Sequence, residues 1–241
     1  MMPKNPNFPQ VFRRPSNPSP MELGIYMYEK KAAKFHKERD KEAPLNETKS
    51  QKSKRLDQAR RDKLHLLGER RKLAAHAKIQ KELREYRTAS LEKDEEDLVA
   101  ENHHPTKILA RNLLAVGEPK PTIQHEAHHI IPGKGRYLQE ELIISRLNLH
   151  SFGVGINDPI NGLWLTNFKK NKENDWATSD APSHRSLHRY NYEKWISSNF
   201  SNDNLPEKTF LGRLTIIKRK IKNGKMPDKV MMPKDKNWNG Q

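Results

Sequence analysis

Cysteine is absent from the 241-residue chain, which excludes disulfides, cysteine-built zinc ribbons and thiol catalysis. Apolar side chains are scarce as well. Hydrophobic residues make up 33% of the chain and aromatics 7%, and the mean hydropathy is −1.03. That is too polar for one uniformly packed globule of this length. The expectation is a compact domain over part of the chain, with helices and tails around it. No apolar run approaches the roughly 18 residues that span a bilayer. Residues 1–20 are punctuated by Pro3, Pro6, Pro9, Pro15, Pro18 and Pro20 and lack the apolar centre of a cleaved signal peptide.

Charge is what the chain has in excess. Lys and Arg number 46 against 30 Asp and Glu, a net charge of +16, and the pI is about 9.9. Such a balance favours a polyanionic partner: nucleic acid, an anionic membrane or an acidic protein. Solubility alone is the plainer reading. It is set aside because the charge accompanies a candidate catalytic centre.

The chain divides by composition. Residues 1–20 read as an irregular Pro-rich arm. Residues 21–41 suit a helix, and Pro44 breaks it. Residues 53–101 form one long run of helix formers whose leucines, such as Leu66, Leu73 and Leu83, make a thin apolar stripe. Residues 21–104 are thus read as a basic helical region. Composition shifts at Pro105. Residues 105–225 read as the compact domain and 226–241 as a tail.

Within that domain, residues 107–116 suit an amphipathic helix with a stop at Gly117. Residues 128–131 suit a strand running into Pro132, and 138–149 a helix. Asn161-Gly162 suits a tight turn before a strand at 163–165. Pro182-Ser183 opens a helix expected to carry His184, His188, Tyr192 and Trp195. Phe210, Leu214, Ile217 and Ile221 define a last amphipathic helix, stopping near Gly224.

The chemistry concentrates in the histidines. His128 and His129 are adjacent at the start of the first predicted strand. His184 and His188 stand four apart, where a helix would put both on one face and within reach of one ion. Adjacent strand residues point to opposite faces, so one imidazole of the doublet can bind metal while the other addresses a water. A basic chain with such a set suits metal-dependent phosphodiester hydrolysis. Asn161, at the turn, is the candidate to orient the base through backbone hydrogen bonds. His103-His104 is also a doublet, but Pro105 follows it and no strand stands behind it. It reads as incidental. His125 reads as a surface residue.

Three ordered blocks now resemble a known family. Ala127-His128-His129-Ile130-Ile131-Pro132 is similar to the signature of the Ala-His-His nucleases, in the His-Asn-His/endonuclease VII group with the ββα-metal fold. Gly155-Ile156-Asn157-Asp158-Pro159-Ile160-Asn161-Gly162-Leu163-Trp164-Leu165 resembles the family's central block. His184-Arg185-Ser186-Leu187-His188-Arg189-Tyr190 resembles its closing block. The helix at 108–116 and Gly117-Glu118-Pro119 fit the segment before the signature.

The resemblance implies an α+β, predominantly helical fold, with a ββα-metal core and an extended N-terminal helical region. It implies His128, His184 and His188 as ligands of a divalent metal (Mg, Mn, Ni or Zn). His129 becomes the general base and Asn161 its orienter. Lys134, Arg185 and Arg189 are the candidate DNA contacts, without sequence preference. Members are mostly toxins of bacterial competition systems. A cytoplasmically made effector is therefore expected, delivered by a type VI or related secretion machine into a target cell. Its partners would be an acidic immunity protein and a secretion component engaged through residues 1–104, with no membrane.

Two other readings stand beside a DNase. One is an RNase with the same site, disfavoured because no base-stacking aromatic platform is evident. The other is a non-enzymatic basic nucleic-acid-binding protein with structural histidines.

Overall fold

The computed structural model describes residues 13–39, 41–173 and 175–241. The larger part of the expected Pro-rich arm, residues 1–12, lies outside them. The chain separates into two compact units, Met1–Lys78 and Ile79–Gln241. The boundary falls earlier than the composition shift at Pro105, for a reason given below.

The first unit holds helix α1, Pro20–Arg39, and the beginning of α2, Lys49–Glu92. Within it the Lys31 ammonium meets Glu69 Oε1 at 2.7 Å. Gly24 packs against Leu73, where an added Cβ would stand 3.1 Å from the leucine methyl. Among the described residues α1 buries no side chain.

The predicted 53–101 helix is interrupted. α2 ends at Glu92, and a separate α3 runs Glu95–Ala100. Asp94 is the cause: its side chain accepts from the Asp97 N–H, with Glu95, Glu96 and Asp97 in the first turn. Side-chain capping and acidic charge both favour a fresh helix N-terminus there. A run of good helix formers hides such a cap.

The second unit is α+β and mainly helical. α4, Lys107–Ala115, is followed by strand β1, His125–His129, and α5, Gln139–His150. A 3-10 turn at Pro159–Asn161 leads into β2, Gly162–Thr166. The one-turn α6, His184–Leu187, precedes α7, Tyr190–Phe200, and α8, Glu207–Lys222. β1 and β2 pair antiparallel, with His128 opposite Leu163 and His129 opposite Gly162.

Strand alternation puts the two faces of this ribbon into different cores. Ala127 and Trp164 pack with Leu109 and Leu113 of α4. Leu163 and Leu165 join the larger core with Trp195, Phe200, Phe210 and Ile217 of α7 and α8. Gly162 is needed for the first contact, because a Cβ there would overlap the Leu109 side chain. Phe210, Leu214, Ile217 and Ile221 are all buried, and Gly224 leaves the last helix at φ +63°, the left-handed turn open to glycine.

Two expectations fail in this unit. Residues 226–241 are not a loose tail. A 3-10 turn at Asp228–Met231 buries Val230. The Asn191 amide donates to the carbonyls of Lys229 and Pro233 and accepts from the Asp235 N–H. The domain also begins before residue 105. Arg87 of α2 binds Asp158 at 2.7 Å. Arg146 of α5, 4% exposed, donates to the carbonyls of Leu98, Glu101 and Gly133. Buried carbonyls need such donors, so this guanidinium fastens the stretch after α3 to the domain. Among the described residues no helix is long and apolar enough to cross a membrane.

Candidate active site

The sheet presents its two histidines to opposite sides of one cavity. The cavity holds about 150 Å³ and is lined by both of them, by His184 and His188, and by Lys134 and Arg136. That is room for a phosphoryl group and a few waters, at about 30 Å³ per water.

His128 turns toward α6 and α7. Its Nε2 lies 3.1 Å from the Tyr192 hydroxyl, and that hydroxyl donates to Ile130 O at 2.9 Å. A phenol has one proton to give. The hydroxyl must therefore accept from His128 Nε2–H, which leaves the lone pair on Nδ1. Burial pushes the His128 pKa well below its usual value, and the neighbouring His184 and His188 push it further. The ring is neutral, as a metal ligand must be.

His128, His184 and His188 form the group that can hold a metal: one nitrogen from each lies within 4.8 Å of the others. Burial first, then His188, lowers the His184 pKa to about 3. His188 is lowered by burial and by Arg185. His184 Nδ1 stands 2.8 Å from Glu126 Oε2, yet off the line of a hydrogen bond. Among the described residues this buried nitrogen has no hydrogen-bond partner. Three neutral imidazoles and an unsatisfied buried nitrogen fit a divalent transition-type ion.

The two downstream histidines do not share one helix, contrary to the i,i+4 expectation. α6 stops at Leu187, and His188 follows it at ψ 70°. Arg189 is extended before α7 begins. This break lets Tyr192, Trp195 and Ile196 enter the core while the His184 and His188 rings stay 4.8 Å apart.

His129 turns the other way. Its Nε2 is 3.0 Å from Asn157 Oδ1. The Asn157 amide nitrogen donates to Glu101 Oε1 at 2.7 Å and to Asn102 O at 3.0 Å. Both are acceptors, so the amide oxygen is fixed toward the ring, and Nε2 must carry the proton. Nδ1 is then the free lone pair. Burial lowers the His129 pKa to about 4 against the opposing Asn157 hydrogen bond. Asn157 is itself held, its N–H donating to the Tyr86 hydroxyl and its carbonyl accepting from Asn112.

Asn161 has different bonds. Its side chain accepts from Ile131 N–H at 2.8 Å and donates to the Ile131 and Ile156 carbonyls at 3.1 Å. It grips the backbone two residues beyond His129, whereas the ring contact belongs to Asn157. Asn157 lies in the same central block of sequence, but nothing in its spacing distinguishes it from Asn161.

Of the candidate DNA contacts, Lys134 lines the cavity. Arg185 lines the adjoining groove and lies over Phe168 at 5.2 Å. Arg189 borders a further groove and donates to Met231 O. Arg136, which sequence reasoning missed, lines both the cavity and the adjoining groove.

The reading of His125 is overturned. His125 is not a surface residue: it is 1% exposed, 2.8 Å from Thr122 Oγ1 and 3.1 Å from Thr178 Oγ1. Its strand position faces the interior. His103 and His104, read from the sequence as incidental, both line the cavity. Their place follows from the stretch just before them, whose Leu98 and Glu101 carbonyls Arg146 holds, a long-range tie that local composition does not reveal.

Residues 109–220 match a nuclease family of the HNH/ENDO VII superfamily with conserved AHH. No curated protein and no solved structure gives a match to the chain.

Proposed function

Since residues 109–220 belong to this nuclease family, we propose that the chain is a metal-dependent endonuclease that hydrolyses the phosphodiester bonds of DNA. The observation that carries this reading is the cluster of three neutral imidazoles beside a fourth, His129, whose free lone pair is fixed by Asn157.

Hydrolysis adds water across a P–O bond. The water oxygen bonds to phosphorus, the ester oxygen leaves with the bonding pair, one proton leaves the water and another reaches the departing oxygen. His129 takes the water proton at Nδ1 as general base. Asn157 keeps Nε2 protonated, and Asn161 steadies the strand end through Ile131. A divalent ion (Mg, Mn, Ni or Zn) held by His128, His184 and His188 would supply Lewis-acid stabilisation of the charge developing on the phosphoryl oxygens. Lys134, Arg136 and Arg185 draw the strand in by charge, without reading bases.

The same reading carries an antibacterial role. The chain would act as a delivered toxin, docking to a secretion component through residues 1–104. It would be held in check at home by an acidic immunity protein. The net charge of +16 would speed capture by such a partner.

A second reading, RNA cleavage, is favoured by one specific feature. Tyr137 and Tyr190 pair at 6.2 Å, with the Lys234 ammonium 4.7 Å from the Tyr190 ring, in a groove that also includes His188. Aromatic rings beside cations suit unpaired bases, and this pairing of Tyr137 with Tyr190 was not evident in the sequence.

The test is incubation of the protein with supercoiled plasmid and, separately, with total RNA, with and without EDTA. Metal-dependent plasmid nicking is expected, and His129→Ala should slow it by about 10²- to 10⁴-fold. Full activity after chelation would remove the metal from the mechanism. RNA degraded faster than plasmid would put the second reading first.

A further inference from the structure

The His103–His104 doublet precedes the residues that match the nuclease family, and the reaction as described makes no use of it. Its placement is nonetheless that of active-site residues. Each ring centroid lies 6.4 Å from that of His129, and the two rings are 4.7 Å apart. His104 lines both the main cavity and the groove that runs past His184 and His188. It is exposed, whereas His103 is half-buried.

The doublet is held in place. The Asn157 amide that fixes His129 also grips Glu101 and Asn102, the residues immediately before it. Arg146 ties Leu98 and Glu101 from the other side. His103 lies so close on Gly133 that a Cβ there would overlap its ring. Nothing comparable holds a solvated linker histidine.

A phosphoryl group within reach of both His129 and the three metal-binding imidazoles must sit in this cavity, and so beside His104. Imidazole carries at least one N–H donor in either protonation state. A donor fixed where phosphoryl oxygens gain charge lowers the barrier without reorganising.

On the nuclease reading, we propose that His104 is a catalytic residue that donates an N–H to a non-bridging oxygen of the scissile phosphate. His103, packed on Gly133, is its positioning residue, its ring standing 4.7 Å from that of His104.

The experiment measures single-turnover cleavage of plasmid and of RNA by the full chain, as wild type, His104→Ala, His104→Gln and His103→Ala. Metal affinity of each is measured by calorimetry, and folding by circular dichroism. His104→Ala should lose about 10²-fold in rate, the scale for a lost transition-state donor, with metal affinity unchanged. His104→Gln retains an N–H donor and should recover most of that loss. His103→Ala should lose less than His104→Ala. A wild type active on either substrate with His104→Ala equally fast overturns this assignment alone. So does His104→Gln as slow as His104→Ala, or a fall in metal affinity that matches the fall in rate. A wild type inert on both substrates with every divalent metal overturns the nuclease reading, and this assignment with it.

Discussion

The Asn157 side-chain oxygen accepts from His129 Nε2 at 3.0 Å while the same amide donates to Glu101 and Asn102, so one side chain fixes which ring nitrogen of the base is free. Asn157→Ala should therefore cost about 10- to 10²-fold in cleavage rate, part of what a general base contributes, with metal affinity retained. Asn157→Asp keeps the acceptor but sets a second carboxylate against Glu101, and should be both slower and less stable. Rate and melting temperature measured together check both outcomes. An Asn157→Ala protein at the wild-type rate would leave Asn161 as the side chain that orients the base.

Tyr192→Phe removes one oxygen and keeps the ring that packs in the core. His128 then loses the acceptor for Nε2–H. Partners that orient metal-binding histidines are typically worth about 10- to 100-fold in affinity. A loss of about tenfold in metal affinity is expected for Tyr192→Phe, and a larger one for His184→Ala or His188→Ala. Calorimetric titration of the three variants against wild type makes the comparison. Unchanged affinity in Tyr192→Phe would mean that the hydroxyl serves Ile130 alone.

The fragment 105–225 should be defective. It lacks Arg87, Glu101 and the histidine doublet at one end, and the Val230 and Asn191 contacts at the other. The fragment 79–241 should keep cleavage activity. Both fragments are to be compared with the whole chain for plasmid nicking and thermal melting. Wild-type cleavage by 105–225 would confine the machinery to the family-matched residues and their flanks.

Acid should destabilise the metal-free protein early. His150 is buried, and desolvation lowers its pKa to about 4 against an opposing hydrogen bond to Val154 O. His129 is likewise lowered to about 4, first by burial. Unfolded, each titrates near the ordinary histidine value of about 6.5. A depressed folded pKa means that stability is fully present above about pH 6.5. It is lost as pH falls toward 4, because the unfolded state binds the proton first. Melting temperature recorded from pH 8 to pH 4 in chelator should fall across that window. His150→Gln should flatten part of the slope.

Periodicity and punctuation made the elements of the second unit legible. Phe210, Leu214, Ile217 and Ile221 mark a buried stripe that α8 fulfils, and Gly117 and Gly224 mark turns of positive φ. The four histidines of the centre were legible as a set through the order of their sequence blocks, although the helix spacing invoked for His184 and His188 is not what brings their rings together. What was not legible depends on long-range partners. Asn157 and Asn161 are indistinguishable until the chain between β1 and β2 is folded around Ile131. The break at Asp94 is a local cap inside a helix-forming run. His103 and His104 sit in a polar stretch whose place is set by Arg146, more than forty residues away.

Tyr192 and Glu193 are consecutive on α7, and they govern different things. Tyr192 meets His128. Glu193 receives the backbone N–H groups of Arg136, Tyr137 and Leu138 at 2.7–2.8 Å, fixing the loop that brings Arg136 to the cavity rim. The helix therefore acts as a ruler with two marks that cannot be moved separately. A single-residue insertion or deletion ahead of Tyr192 would rotate both marks by about 100° at 3.6 residues per turn. Metal ligand and rim would then fall out of register together. Length changes in this helix should thus be far rarer among active descendants of the chain than substitutions at Lys194, one position further on.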